Sequence, residues 1–332
     1  MKQSSLVEIS DACHGTLKVD PTATDEILEV SGVSHDSRSV AHGDLFACIS
    51  GAEHDGHSYA TEAINNGAAA LLVERELNLA ISQIVVPNVR KAIGFVSSAV
   101  YGHPSKKTKV IGITGTAGKT TVAQATAQTL KACGESVGVI GTLEGSHTTP
   151  EAPEFQKKLS QMQRRGDEWI CAEVSSHGLE LGRVEGTEFA AAVFTNLSPE
   201  HLDFHLDMEQ YFLAKRRLFD QRGGLAVVSL VDEWGERLVK ELQAIGHEAL
   251  VTVESNRIGN PKLDVEISSF IWRGHEIRTR LLGMFNLFNL VLVGETLKGL
   301  GLEEEIIASG LEKVEPVRGR MELVTAPGSD IA

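Results

Sequence analysis

Apolar and polar positions along the chain sort into short blocks that switch between strand and helix periods. In the first hundred residues, "DLFACI" (44–49) and "AAALLVE" (68–74) are compact apolar runs that predict strands. "SYATEAINNG" between them reads as a helix closed by Gly67. "QIVVP" predicts another strand and "NVRKAIGFVSSAVYG" another helix. The polar, Pro-containing "HPSKKTK" (103–109) marks a domain boundary. Beyond it the alternation becomes regular. "KVIGIT", "SVGVIGT", "EWICAEV", "FAAAVFTN", "GLAVVSL" and "EALVTV" predict strands, and amphipathic segments between most of them predict helices. "LDVEISSFIWRGHEIRTRLL" alternates with period two, as an antiparallel hairpin would, and two further helices follow. The pattern predicts an α/β protein. A small N-terminal α/β domain covers residues 1–105, and a central domain covers 106–332 with a mainly parallel sheet and helices on both faces.

The 332 residues, 42% hydrophobic and 23% charged, suit a soluble chain of about two domains. No run approaches the roughly 18 apolar residues of a membrane span. "MKQSSLVEISDACHG" lacks the apolar core of a signal peptide, so a cytoplasmic location without membrane insertion is expected. Cys13, Cys48, Cys133 and Cys171 are scattered, which suggests neither a zinc site nor a redox pair. A formal charge of −14 argues against nucleic acid as a partner. It also means that any phosphate ligand needs positive charge concentrated locally, against the field of the whole chain.

Such a place is visible in "VIGITGTAGKTT" (110–121). Gly112, Gly115 and Gly118 precede Lys119, Thr120 and Thr121 between a predicted strand and helix. Small residues let backbone N–H groups approach phosphate oxygens, and the helix start adds a favourable dipole. Lys119 would reach the outer phosphates and Thr120 would set its hydroxyl on Mg²⁺. The strict pattern G-x-x-x-x-G-K-[ST] fails at one position, where Ile113 replaces the first Gly.

The variant loop G-x-T-G-T-x-G-K-T resembles that of the Mur ligase family, ATP-dependent enzymes that form amide bonds in bacterial cell-wall precursors. Folylpolyglutamate synthetases are similar at a greater distance. The family usually has Asn or Lys where this chain has Ala117. Further blocks carry the likeness from about residue 34 to 322: "SHDSRSVAHGDLFACISGAEHDGHSYATEAINNGAAALLVE", "TTPE", "EVSSHGLELGRVEG", "FTNLSPEHLDFHLDMEQYFLAKRRLF" and "GMFNLFN". They resemble the members that add the third amino acid to UDP-N-acetylmuramoyl-L-alanyl-D-glutamate. The resemblance implies that the γ-phosphate of ATP passes to a substrate carboxylate and that an amine then attacks the acyl phosphate. It implies ATP and Mg²⁺ as cofactors, the UDP-N-acetylmuramoyl dipeptide and an amino acid as substrates, and a monomer.

Glu173 closes the strand "EWICAE", at the edge of a parallel sheet where ligands usually sit. Its hard oxygens suit Mg²⁺, and the resemblance makes it a metal ligand with Thr120. His201, in "NLSPEHLDFH" with Asp203, reads from chemistry alone as a loop histidine, because imidazole prefers softer metals. The family motif implies instead that His201 binds a second metal; His205 has no such match and reads as structural. Lys215 shares a helix face with Tyr211 and Leu218. A lysine on an apolar face normally snorkels to water, and one held inside tends to lose its proton. The matching lysine of the family is carbamylated by CO₂. The family likeness sets Lys119, Glu173, His201 and Lys215 as the catalytic group. It assigns residues 115–121, including Gly115, Thr116, Ala117 and Gly118, to ATP. It puts Asn289, read as beginning a helix, near the adenine and Arg320 near the phosphates; a cap or a surface contact is the alternative for both. Ser37, Arg38 and His54 match positions near the uridine. Thr148, Thr149, Ser175 and Arg183 match positions that meet the diphosphate and muramoyl peptide.

Family members continue past "GRME" into a third domain that closes over ATP and selects the amino acid. The chain is therefore expected to lack that domain, as a truncated ligase or as a module that binds the UDP-sugar peptide and ATP without joining them.

Overall fold

The computed structural model describes residues 4–21, 29–51, 54–143, 145, 147–220, 224–317 and 319. The chain divides into two compact units. The first takes in residues 1–108, 150–165 and 177–188, and the second residues 109–149, 166–176 and 189–332.

In the first unit, β1 (Ser4–Ser5) pairs with β3 (Glu29–Val30). A five-stranded sheet runs β2-β7-β6-β5-β4, made of β2 (Thr16–Lys18), β4 (Gly32–Ser34), β5 (Asp44–Ala47), β6 (Ala70–Val73) and β7 (Gln83–Val85). Pairings are parallel except β2 on β7. Every residue of β6 is buried, which is why it reads as a continuous apolar run without alternation. The helices are α1 (Leu6–Ala12), α2 (Ala60–Asn65) and α3 (Val89–Val100). Asn88 caps α3 by accepting from Lys91 N. The later helix α5 (Ala152–Arg165) belongs to this unit and packs on α3, placing Ala152 in its core.

In the second unit six parallel strands run in the order β13-β12-β11-β8-β10-β9. They are β8 (Lys109–Thr114), β9 (Val137–Ile140), β10 (Trp169–Glu173), β11 (Ala191–Phe194), β12 (Leu225–Ser229) and β13 (Leu250–Val253). Strand β8 is central, with β10 on one side and β11 on the other, so chain order reverses around it. That makes the carboxyl ends of these three strands the natural ligand crevice. Helix α4 (Lys119–Ala132) leaves β8, and α7 (Leu202–His205) and α8 (Met208–Arg216) follow β11; α6 (Ser176–Glu180) follows β10 but belongs to the first unit from His177 onward. Helix α9 (Glu233–Ala244) links β12 to β13. The expected hairpin is the pair β15 (Ser268–Trp272) and β16 (His275–Thr279). A third antiparallel strand, β14 (Gly259–Lys262), joins it; Pro261 hid that strand in the sequence, because proline is excluded from all but edge or irregular positions.

Helix α10 (Met284–Gly299) is buried continuously from Asn286 to Leu297, and α11 (Glu304–Leu311) follows it. It starts at Met284, so Asn289 lies in its second turn and is not a cap, correcting the sequence reading. The buried carboxylate of Glu295 ties α10 to the tip of the hairpin. It accepts from Trp272 Nε1 at 3.0 Å and from Arg273 Nε and Nη2 at 2.9 and 2.8 Å. Glu295→Ala would leave the indole N–H without its acceptor and Arg273 with Glu304 as its remaining carboxylate partner. We expect a loss of about 2–3 kcal/mol in urea unfolding, the low end for a broken buried pair because Arg273 is partly solvated. Glu295→Gln, which keeps an acceptor, should lose less.

Candidate active site

The loop after β8 is shaped from below by two lysines. Gly115 sits at φ +151, and a Cβ there would overlap the Thr195 hydroxyl, so the tight turn needs glycine. The carbonyl of Gly115 points inward and accepts from Lys119 Nζ and Lys215 Nζ, each at 2.8 Å. Lys119 also donates to the Thr116 carbonyl at 2.8 Å.

Lys215 does not snorkel; it is 1% exposed, on α8, with its ammonium 4.5 Å above the Tyr211 ring. Burial holds its proton affinity well below the ordinary lysine range, and the charge of Lys119 lowers it further, while Glu200 opposes the shift. Helix α8 is fixed in place by Asp207, which caps it through Gln210 N, and by Arg237 of α9, which grips Glu209 with both Nη atoms. Tyr211 meets the Thr116 hydroxyl at 3.2 Å, and the His205 ring is buried against it. His205 is thus a packing residue here, in line with its structural reading.

Glu173 is fully buried at the end of β10. Its carboxylate accepts from the Thr120 hydroxyl at 2.7 Å, from Thr142 N at 3.0 Å and from the Thr142 hydroxyl at 3.3 Å. A Cβ at Gly141 would collide with that carboxylate, so Gly141 supplies the space it occupies. Thr149 donates to the Glu173 carbonyl at 3.0 Å and to Ser175 Oγ at 3.1 Å. A cavity of about 500 Å³ opens above these groups. Residues 116–121 line it, with Thr142, Thr148, Glu173, Glu200, His201 and Asn289 around them. Among the described residues no three His, Cys, Asp or Glu side chains stand together as a metal cage. Thr120 and Glu173 offer a hard-oxygen pair of the kind Mg²⁺ accepts when phosphate and water complete its shell. His201, at φ +57, lines the same cavity with its ring edge-on to Tyr211 and Nε2 3.8 Å from Glu200. A second, apolar pocket shares Phe285 and Asn289 with the first and adds Phe288, Met284 and Val231.

A family model for the Mur ligase middle domain matches residues 113–296, and one for the Mur ligase family catalytic domain matches residues 29–117. The chain belongs to the Mur ligase family. Its relatives include the UDP-N-acetylmuramoyl-L-alanyl-D-glutamate–2,6-diaminopimelate ligases of Syntrophomonas wolfei (36% identical over 92% of this chain and 66% of that protein) and Gloeobacter violaceus (40%, 92% and 66%). The Streptomyces coelicolor ligase is 39% identical over 91% of this chain and 64% of its own length. The chain thus spans just under two-thirds of these relatives. A solved ligase of the same name superposes with a TM-score of 0.82 at 26% identity, covering 98% of this chain and 69% of that one. The MurF ligase of Thermotoga maritima in complex with ADP shares the fold, with a TM-score of 0.63 at 20% identity over 92% of this chain and 70% of that one.

The family blocks gather Lys119, Thr120, Glu173, His201, Asn289 and Thr148 around one cavity of the second unit, with Thr149 and Ser175 bonded beneath it. Other expected residues lie in the first unit. Ser37 is buried and donates to Glu62, Arg38 is exposed and paired with Asp36, and His54 is exposed. Arg183 pairs with Glu151 at 2.6 Å. Arg320 lies outside the described residues. Asp203 is exposed on α7 and takes no part in the cavity lining. The sequence reading missed Thr142 and Asn196. Thr142 carries no motif signal, because its role depends on a backbone N–H. Asn196 sits inside the quoted "FTNLSPEHLD" block, but its partner Ala117 lies 79 residues away. The backbone cradle is also narrower than expected: the Thr116 and Ala117 amides are spent on Asn196 O and Asn196 Oδ1, which leaves the helix start as the phosphate-facing part.

Lys215 sets a pH signature. Its native proton affinity lies below the ordinary value of 10.5, so between the two the unfolded chain holds a proton that the native protein lacks. Stability from this group therefore rises with pH across that window and stops rising above 10.5. Lys215→Met should be more stable than the wild type at pH 7. The gap should narrow towards pH 10, as read from paired urea titrations.

Proposed function

We propose that this site binds ATP and Mg²⁺ and activates a free glutamate carboxylate of UDP-N-acetylmuramoyl-L-alanyl-D-glutamate as an acyl phosphate. In the full reaction the amine of a third amino acid, named as diaminopimelate for the relatives above, then displaces phosphate. The observation that carries this reading is the joint lining of one cavity by the Gly-rich loop, Lys119, Thr120 and the buried Glu173.

Two anions must meet for a phosphoryl group to pass between them, so charge neutralisation and alignment are the main tasks of the protein. Lys119 already lies beside the loop and needs only to turn from two carbonyls to a phosphate. The start of α4 adds its dipole. Thr120 and Glu173 would hold Mg²⁺, which would supply charge neutralisation, and His201 is assigned to a second ion on the family motif. The depressed proton affinity of Lys215 supports its reading as the amine that takes up CO₂: the lone pair of the neutral amine nitrogen bonds to carbon, one N–H proton leaves, and the neutral amine becomes a carbamate anion. Asn289 and the neighbouring apolar pocket with Phe285 and Phe288 suit the adenine, a flat ring with a polar edge. Ser37, Arg38, His54 and Arg183 are assigned to the UDP-sugar, with Thr148, Thr149 and Ser175 at its peptide end. We further propose cytoplasmic action as a monomer.

The test separates activation from ligation. The purified protein, given ATP, Mg²⁺, the UDP-muramoyl dipeptide and hydroxylamine, should yield the glutamyl hydroxamate. Glu173→Gln and Lys119→Ala should lower that yield at least about 100-fold, the scale seen when a charge-stabilising group is removed. Tight ATP binding with no response to the dipeptide would overturn the substrate assignment.

A further inference from the structure

The phosphate loop is held from outside by three residues that follow β11, and one side chain does most of the holding. Asn196 Oδ1 accepts from Ala117 N at 3.0 Å, and Asn196 Nδ2 donates to the carbonyl of the same residue at 3.1 Å. The amide group thus grips both polar edges of one residue, as a neighbouring strand would. Thr195 Oγ1 donates to the same Ala117 carbonyl at 2.6 Å. The Asn196 carbonyl accepts from Thr116 N at 2.9 Å. Ser198 N donates to the Thr116 hydroxyl at 3.0 Å, and that hydroxyl meets the Ser198 carbonyl at 3.2 Å. Ala117 has an exposed methyl and no side-chain contact of this kind, so its position depends on its backbone.

We infer that Asn196, assisted by Thr195, is a positioning residue for the nucleotide phosphates: it pre-sets the peptides of Thr116 and Ala117 so that the start of α4 faces the cavity before ATP arrives. The inference rests on reading this cavity as the phosphate site. Asn196 also lines the apolar pocket beside Phe285, Phe288 and Asn289, so the residue that grips Ala117 in the wall of the first cavity borders the neighbouring pocket. A loop not held in advance must be ordered by its ligand, and that ordering comes out of affinity.

The experiment compares the wild type with Asn196→Ala, Asn196→Asp and Thr195→Val. Each is measured for ATP·Mg²⁺ affinity by calorimetry, for UDP-muramoyl dipeptide affinity, for melting temperature, and for amide exchange across residues 115–118 without ligand. Asn196→Ala should bind ATP roughly 10- to 100-fold more weakly, as expected when two or so residues must be ordered on binding. Exchange at 116 and 117 should quicken, with dipeptide affinity kept. Asn196→Asp, which keeps the acceptor but sets a carboxylate against the Ala117 carbonyl, should lose at least as much. Thr195→Val should lose less. Unchanged ATP affinity in both Asn196 variants would overturn the positioning role, as would unchanged exchange at 116 and 117. If Asn196→Ala does not fold, the nearly isosteric Asn196→Asp and Thr195→Val decide the matter. A wild type that fails to bind ATP would instead remove the phosphate-site reading and this role with it. In that case faster exchange in the variants would mark Asn196 as a structural clamp alone.

Discussion

One carbonyl oxygen, that of Gly115, receives two lysine side chains. Lys119 and Lys215 come from different helices, α4 and α8, and meet at a loop that glycine alone can shape. Two cations on a single acceptor in a buried place repel one another, and the one farther from water yields its proton more easily. The site thereby holds a poised amine beside a charged one. On a chain with a formal charge of −14, the pair concentrates positive charge locally without changing the overall field.

The surrounding architecture can be understood as what keeps this contact in register. Parallel pairing of β8 with both β10 and β11 brings three loops to one edge. The β10 loop delivers Glu173, which is held by Thr120 on one side and Thr142 on the other. From the β11 loop come the peptide clamp on Ala117 and the αL turn at His201. Helix α8, which carries Lys215, is held by the Asp207 cap, by its buried face of Tyr211, Phe212 and Ala214, and by the Arg237–Glu209 pair. Each restraint is ordinary; together they fix a buried lysine amine beneath the loop and a carboxylate and a helix start at the cavity, and preorganised polar groups of this kind need little rearrangement when charge develops.

Much of the fold was legible because it is written in local periodicity. The apolar runs "KVIGIT" and "FAAAVFTN" are buried parallel strands, and the pattern of the chain leaves little other place for them. Lys215 was legible as a residue to watch through its spacing from Tyr211, although spacing alone favoured a side chain reaching water. What periodicity could not reveal was long-range. Strand β14 was masked by Pro261. The start of α10 at Met284 was obscured because "GMFNLFN" has neither a side-chain cap nor an amphipathic stripe. Helix α5 follows the phosphate loop in sequence yet builds the core of the other unit. The role of Thr142 lies in a main-chain N–H, to which a side-chain motif is blind.

Ala117 shows how such a loop can dispense with a polar side chain. Where the family usually has Asn or Lys, this chain offers a methyl group, yet the main-chain polar groups of the residue are fully engaged by Asn196 and Thr195. Hydrogen bonds to a peptide fix the loop independently of its own side chain, so variation at position 117 alters what the cavity wall presents without loosening the wall. The division also separates tasks. The strap after β11 holds the shape, Lys119 sets its charge on the Gly115 and Thr116 carbonyls, and Glu173 and Thr120 offer oxygen ligands. A ligand that draws Lys119 from Gly115 leaves that carbonyl to Lys215 alone and lifts the repulsion between the two amines. The two amines, carried on different helices, meet at a single shared oxygen.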